Sequence, residues 1–162
     1  MDIKTILEAR ARAKFATDHG TKIHRQLARV KIDGNAVSGD AELVAKIVEN
    51  PILSGLFDNY SRSEVPIAGN IDGKFASRRI DRLRILPPTD GKAVDSPQGG
   101  SSPPRGEIQF IDYKTDTDKS ARRESYMRQM REYTALLRAA YPAHTVTGYI
   151  LWLSDWELEE VK

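Results

Sequence analysis

Residues 108–115, Ile-Gln-Phe-Ile-Asp-Tyr-Lys-Thr, constrain this chain more than any other stretch. An apolar run stops at an acid, and a lysine follows two residues later. Side chains alternate faces along a strand. As a strand, the segment puts Asp112 and Lys114 on one side, beyond Ile108 and Phe110. A carboxylate suited to a metal and an ammonium suited to a phosphate then stand together at a strand end.

The 162 residues suit one domain with its own core. Hydrophobic residues are 40% and charged residues 30%, as in a soluble globular protein. A net charge of +2 does not single out nucleic acid. The distribution says more. Basic residues outnumber acids from Lys4 to Lys31, and Lys119, Arg122, Arg123, Arg128, Arg131 and Arg138 face only Glu124 and Glu132. The end, Asp155 to Glu160, is acidic. Such faces fit phosphate-backbone binding; on charge alone, solvated helix faces fit equally well. The absence of cysteine excludes disulfides, zinc–thiolate sites and iron–sulfur clusters. No apolar run approaches the roughly 20 residues of a membrane span. Met1–Lys4 opens no signal-peptide segment, so a cytoplasmic location is expected.

Residues 2–17 read as a helix that His19-Gly20 breaks, and Thr21 as the cap of a second, with Ile23, Leu27 and Val30 on one stripe. Asp33-Gly34-Asn35 predicts a turn, Asp40 caps a third helix, and Pro51 starts a short fourth. From Ser63 the period becomes that of strands. Glu64–Ala68 reads as an edge strand because of Pro66. Lys74–Leu86 reads as one or two strands, with Asp81, Leu83 and Ile85 on one face and Arg82 and Arg84 on the other. Twelve of the twenty residues 87–106 are Pro, Gly or Ser, which predicts a flexible insertion between two paired strands. Strand 107–114 follows, then a basic amphipathic helix over about 121–140 with Tyr126, Met130, Tyr133, Leu137 and Tyr141 inward. Residues 145–153 read as a buried strand, and 156–159 as a short edge strand. The order predicts an α/β fold: a mixed central sheet flanked by helices, with a helical N-terminal part. It is read as a single domain over 1–162, mainly helical over 1–60, with sheet and helix over 61–162.

Each candidate residue has an ordinary alternative. Asp112 and Lys114 could form a surface ion pair. Asp81 lies on the apolar face of its strand and needs a cation, because a buried unpaired carboxylate is costly. That cation could be Arg79, Arg82, Arg84 or a divalent metal. Mg²⁺ takes oxygen ligands and keeps waters, which suits two carboxylates and a phosphate. His24 would be an ordinary helical histidine, or a ligand favouring Mn²⁺ at a helix start near Gly20-Thr21. Gln129 and Tyr133, four apart, share a helix face and could touch a phosphate or buttress Lys114. Glu64 could be edge polarity or site support. Trp152 and Trp156 are expected in the core.

In this order, Gly20-Thr21-Lys22-Ile23-His24, Glu64-Val65-Pro66, Ile80-Asp81-Arg82-Leu83, Asp112-Tyr113-Lys114-Thr115 and Gln129-Met130 with Tyr133 resemble the nuclease domains of the RecB family, within the PD-(D/E)XK superfamily. The resemblance covers about residues 19–150 and is closest to the C-terminal nuclease domain of AddA helicase–nuclease subunits. It implies a restriction-endonuclease-like core and hydrolysis of DNA phosphodiester bonds in double-strand break repair and recombination. His24, Asp81, Asp112 and the Tyr113 carbonyl would bind Mg²⁺ or Mn²⁺. Lys114 would act on the attacking water, with Gln129 and Tyr133 in support, and Arg122, Arg123 and Arg128 would hold DNA. The implied partners are single-stranded DNA ends, helicase domains of a parent chain and an AddB-like subunit. No Walker A pattern is present, so a fragment or a stand-alone relative is expected. One departure is Arg79, where the family has glycine. It favours the alternative of a silent module of the same fold that binds DNA or a helicase partner.

Overall fold

The structure is a computed structural model that describes residues 3–88, 94–95, 101–102 and 105–162. A long helix, α1 (Ile3–Ala28), leads into a hairpin of β1 (Lys31–Asp33) and β2 (Ala36–Ser38), then α2 (Ala41–Val48) and α3 (Pro51–Gly55). Next come β3 (Ser61–Ile71), β4 (Lys74–Leu86), the short pair β5 (Val94–Asp95) and β6 (Ser101–Ser102), β7 (Gly106–Lys114), α4 (Arg123–Ala140), β8 (His144–Trp152) and β9 (Glu157–Val161).

Five strands form the central sheet in the order β3-β4-β7-β8-β9. All neighbours are antiparallel except β7 and β8, which run parallel with α4 as their crossover. The expected α/β fold with a mixed sheet is therefore present, and Pro66 lies on an edge strand as anticipated. Asp72-Gly73 makes the β3–β4 turn, both at positive φ (50° and 76°), as a two-residue hairpin loop requires. Asp40 caps α2 by accepting from the amides of Glu42 and Leu43, and Asn50 caps α3 the same way.

The sheet carries apolar clusters on both faces. On one, Ile111, Tyr113 and Leu151 pack with Leu27 and Val30, with Leu43 and Ile47 of α2, and with Phe57 just after α3. On the other, Ile108, Phe110, Ile150 and Trp152 pack under Met130, Tyr133 and Leu137 of α4. Trp152 is fully buried, as expected, and Trp156 packs at the margin of the first cluster.

Two expectations need correction. His19-Gly20 does not break the first helix: α1 runs through it without interruption. A single glycine costs a helix only about 1 kcal/mol, and no proline follows to stop it. Thr21 is therefore not a cap, and no helix start near Gly20 is available for an anion. The turn expected at Asp33-Gly34-Asn35 is present, with Gly34 at φ 59°, and it closes the β1–β2 hairpin. The flexible segment expected over 87–106 lies largely outside the described residues. Among the described residues no helix is long and apolar enough to cross a membrane.

Candidate active site

The β4–β7 ladder ends at Arg82↔Ile111, and beyond it the strands part. Asp81 fills the gap: its Oδ2 accepts the Tyr113 backbone N–H at 2.7 Å. Strand alternation places Asp112 and Lys114 on the α4 side of β7, past Phe110. The two acids thus come from adjacent strands at the point where the sheet opens.

None of the three arginines near Asp81 in sequence pairs with it. Arg79 reaches out to Glu64 at 3.4 Å. Arg84 holds Asp58 at 2.6 Å and Gln109 at 2.9 Å. Arg82 is buried on the other face among neutral acceptors. Burial, and next the nearby Asp112 charge, push the Asp81 carboxyl up to about 7. Burial also raises Asp112, against the pull of Lys114.

Lys114 is held from several sides. Its ammonium donates to Gln129 Oε1 at 2.8 Å, lies in ion-pair contact with Asp112 Oδ2, and sits 4.0 Å from the centre of the Tyr126 ring. Gln129 Nε2 in turn donates to the Tyr133 hydroxyl at 2.8 Å, and that hydroxyl donates to the Arg79 carbonyl at 3.1 Å. Gln129 therefore spends its amide on Tyr133 and presents its oxygen to the ammonium. Sequence spacing placed the two on one helix face and left a contact with Lys114 as one of its alternatives. Tyr133 itself is raised by burial and then by Asp112, so it stays a neutral donor.

His24 comes from the last third of α1. Its Nδ1 stands 3.8 Å from Asp81 Oδ1, and its ring packs edge-on against Tyr113 at 5.4 Å. Burial lowers its pKa, which favours the neutral ring a metal needs. Glu64, bracketed by the pairs Ser63↔Arg82 and Val65↔Ile80, stands across from Asp81 in left-handed backbone (φ 54°). Its charge lifts both His24 and Asp81, though less than Asp112 does.

The donor set suits a hard divalent cation. Asp112 is buried, and its Oδ2 meets the Lys114 ammonium in an ion pair, so a carboxylate and an ammonium stand together beside Asp81. Two carboxylates that repel, with no arginine between them, are what such a cation would neutralise. Among the described residues, however, no three His, Asp and Glu side chains already close round one point. A main-chain carbonyl and waters would have to complete the shell, as Mg²⁺ commonly requires.

Two clefts meet at Lys114. One, about 460 Å³, is lined by Gly20, Thr21, His24, Thr115, Asp116 and Arg122. The other, about 410 Å³, is lined by Arg78, Ser125, Arg128 and Glu132. Lys114 and Tyr126 border both. Arg122 and Arg128 thus flank the site, and Arg128 makes only a loose 3.8 Å contact with Glu124. Arg123 does not join them; it pairs with Glu159 of β9. Lys119 is likewise held by Asp155 at 2.6 Å and by Glu157.

Sequence reasoning missed Tyr126 as a site residue, reading only its place in the inward stripe. Its hydroxyl donates to Asp116 Oδ2 at 2.5 Å, which anchors the ring beneath the Lys114 ammonium. The signal was an acid two residues beyond Lys114 and a tyrosine three before Gln129.

No family model and no curated protein matches the chain.

Proposed function

We propose that this chain is a metal-dependent deoxyribonuclease domain with a restriction-endonuclease-like core of the RecB type. The observation that carries the reading is one juxtaposition. Asp81 and Asp112 stand unpaired by arginine at the parting of β4 and β7, beside a lysine whose ammonium Gln129 fixes. A surface ion pair needs neither the second acid nor the Gln129–Tyr133 support.

Asp81, Asp112, the Tyr113 carbonyl and His24 would hold Mg²⁺ or Mn²⁺. Bound there, such a cation supplies Lewis-acid polarisation of a phosphate and offsets its charge. Lys114 orients the attacking water and stabilises charge on the phosphoryl oxygens. Gln129 and Tyr133 keep the ammonium in place. Arg122 and Arg128 grip the strand by its phosphates, without reading bases. By the same reading the domain serves a helicase–nuclease in double-strand break repair, with an AddB-like partner and single-stranded DNA ends as substrate.

The test is cleavage of end-labelled single-stranded DNA with Mg²⁺ or Mn²⁺, beside a Lys114→Ala control. Metal-dependent cutting that the control loses supports the proposal. A second reading, a silent module of the same fold that binds DNA or a helicase partner, is favoured by Arg79, which stands where the resembled family has glycine and pairs with Glu64 at 3.4 Å. Calorimetric titration with Mn²⁺ separates the two. Binding that depends on Asp81 supports the enzyme, and no binding supports the module.

A further inference from the structure

Arg82 is only 2% exposed, and among the described residues no carboxylate lies within ion-pair distance of it. A buried guanidinium without an acid is costly unless every donor is satisfied. Here they are spread over neutral acceptors. Nε donates to the Tyr113 hydroxyl at 3.1 Å, and Nη1 to Ser61 Oγ at 2.8 Å. Nη2 donates to Leu27 O at 2.9 Å, Val30 O at 3.2 Å and Ser63 Oγ at 3.0 Å. The guanidinium also stacks 4.0 Å from the centre of the Phe57 ring.

These acceptors belong to separate elements. Leu27 lies in the last turn of α1, where helix carbonyls carry partial negative charge, and Val30 lies two residues past its end, donating its own N–H to Leu27 O at 3.1 Å. Ser61 and Ser63 belong to β3, and Ser63 Oγ itself donates to Ala28 O at 2.9 Å. Tyr113 belongs to β7, between Asp112 and Lys114. His24 sits one turn before Leu27, and its ring rests on Tyr113. Arg82 itself follows Asp81 on β4. One side chain therefore bonds both to the helix that presents His24 and to the residue against which His24 packs.

We propose that Arg82 is a positioning residue that fixes the end of α1 against Tyr113, and so sets His24 facing Asp81. It touches neither substrate nor metal, and it acts through the backbone of α1 and the ring of Tyr113. Lysine cannot replace it, because one ammonium cannot reach acceptors on α1, β3 and β7 together. The relevance of His24 to a metal rests on the function proposed above; the placement of His24 does not.

The experiment compares Arg82→Lys with Arg84→Lys. Arg84 lies on the same face of β4 but bonds Asp58 and Gln109, not α1. Two readouts are taken on the intact chain: the His24 ring resonances with amide exchange at 24–28 in metal-free protein, and Mn²⁺ affinity by calorimetry. Arg82→Lys is expected to shift the His24 ring signals and speed that exchange on the order of tenfold. It is expected to weaken Mn²⁺ roughly 10- to 100-fold, as loss of support behind a ligand does. Arg84→Lys, at matched thermal stability, is expected to do neither. Unchanged His24 signals and exchange in Arg82→Lys, or the same changes in Arg84→Lys, would overturn the proposal. If the unaltered protein binds no Mn²⁺, the nuclease reading fails and the His24 arm alone decides the role of Arg82. Should Arg82→Lys not fold, Tyr113→Phe removes only the hydroxyl that Nε engages. It is expected to move the same signals in the same direction, and its failure to do so overturns the proposal.

Discussion

Asp81 Oδ2 takes the Tyr113 amide at 2.7 Å, so a side chain closes the hydrogen-bond ladder where the two backbones part. The contact spends one carboxylate oxygen on structure and leaves Oδ1 facing His24. Asp81→Asn keeps an oxygen for that amide but removes the charge that burial and Asp112 oppose. The metal-free variant is expected to gain ~2 kcal/mol at pH 8 and to lose DNA cleavage more than a hundredfold. Urea unfolding and a cleavage assay check the two halves separately. A variant that cuts normally removes Asp81 from the chemistry.

The same carboxyl makes stability depend on pH. Its folded pKa, about 7, lies above the usual 3.8, so the folded protein keeps a proton that the unfolded chain sheds. Stability is therefore lost as pH rises toward 7 and levels off above it. His24, lowered by burial, acts in the opposite sense, chiefly below about 6.5. Between pH 6.5 and pH 8 Asp81 outweighs what remains of the His24 effect, and metal-free protein is expected to lose ~0.5 kcal/mol across that interval. With Mg²⁺ present the loss is expected to vanish. Stability that rises between the two pH values without metal contradicts the assignment.

Lys114→Met leaves Asp112 buried without its cation. Breaking a buried pair on one side costs about 3 kcal/mol, and cleavage is expected to disappear. The double variant Lys114→Met with Asp112→Asn is expected to recover most of the stability and none of the activity. Thermal melts of the three proteins read the first effect. If the double variant stays as unstable as the single, the pair is not what the substitution broke.

The arginines near α4 are not equivalent. Arg122 and Arg128 border the two clefts, whereas Arg123 is occupied by Glu159. Arg122→Ala and Arg128→Ala are each expected to weaken single-stranded DNA binding and to reduce the salt slope by about one. Arg123→Ala is expected to leave affinity nearly unchanged. Fluorescence anisotropy across a salt series measures all three.

Gly148 on β8 lies under the Phe110 ring, and a Cβ there would stand 2.5 Å from Phe110 Cζ. The three nearest atoms all belong to the fully buried Phe110 ring. Gly148→Ala is expected to cost about 1–3 kcal/mol by overpacking, with Mn²⁺ affinity retained. Chemical denaturation beside calorimetry reads both.

Much of this was legible before any coordinates. The alternation through Ile108–Lys114 placed Asp112 and Lys114 on one face, and the i, i+4 spacing placed Gln129 and Tyr133 on one helix face, leaving open whether they meet a phosphate or Lys114. Both are short-range periodicities that a strand or a helix enforces by itself. The continuity of α1 was not legible, because one glycine is a weak breaker whose cost tertiary contacts can offset. Nor was the pairing of Arg123 with Glu159. The two are 36 residues apart and meet only because β9 folds back beside β8. For Arg82, alternation gave the face opposite Asp81 but not the acceptors on α1, β3 and β7, which only the fold brings to its guanidinium.

The connection between β4 and β7 leaves the sheet at Leu86↔Glu107, four residue pairs from the last rung before Asp81. At strand spacing that is roughly 14 Å from the chemistry. Both anchors of that connection, Leu86 and Glu107, thus stand well away from the two carboxylates. A circular permutant opened between them would keep every rung of the β4–β7 ladder, and with it the parting that Asp81 closes.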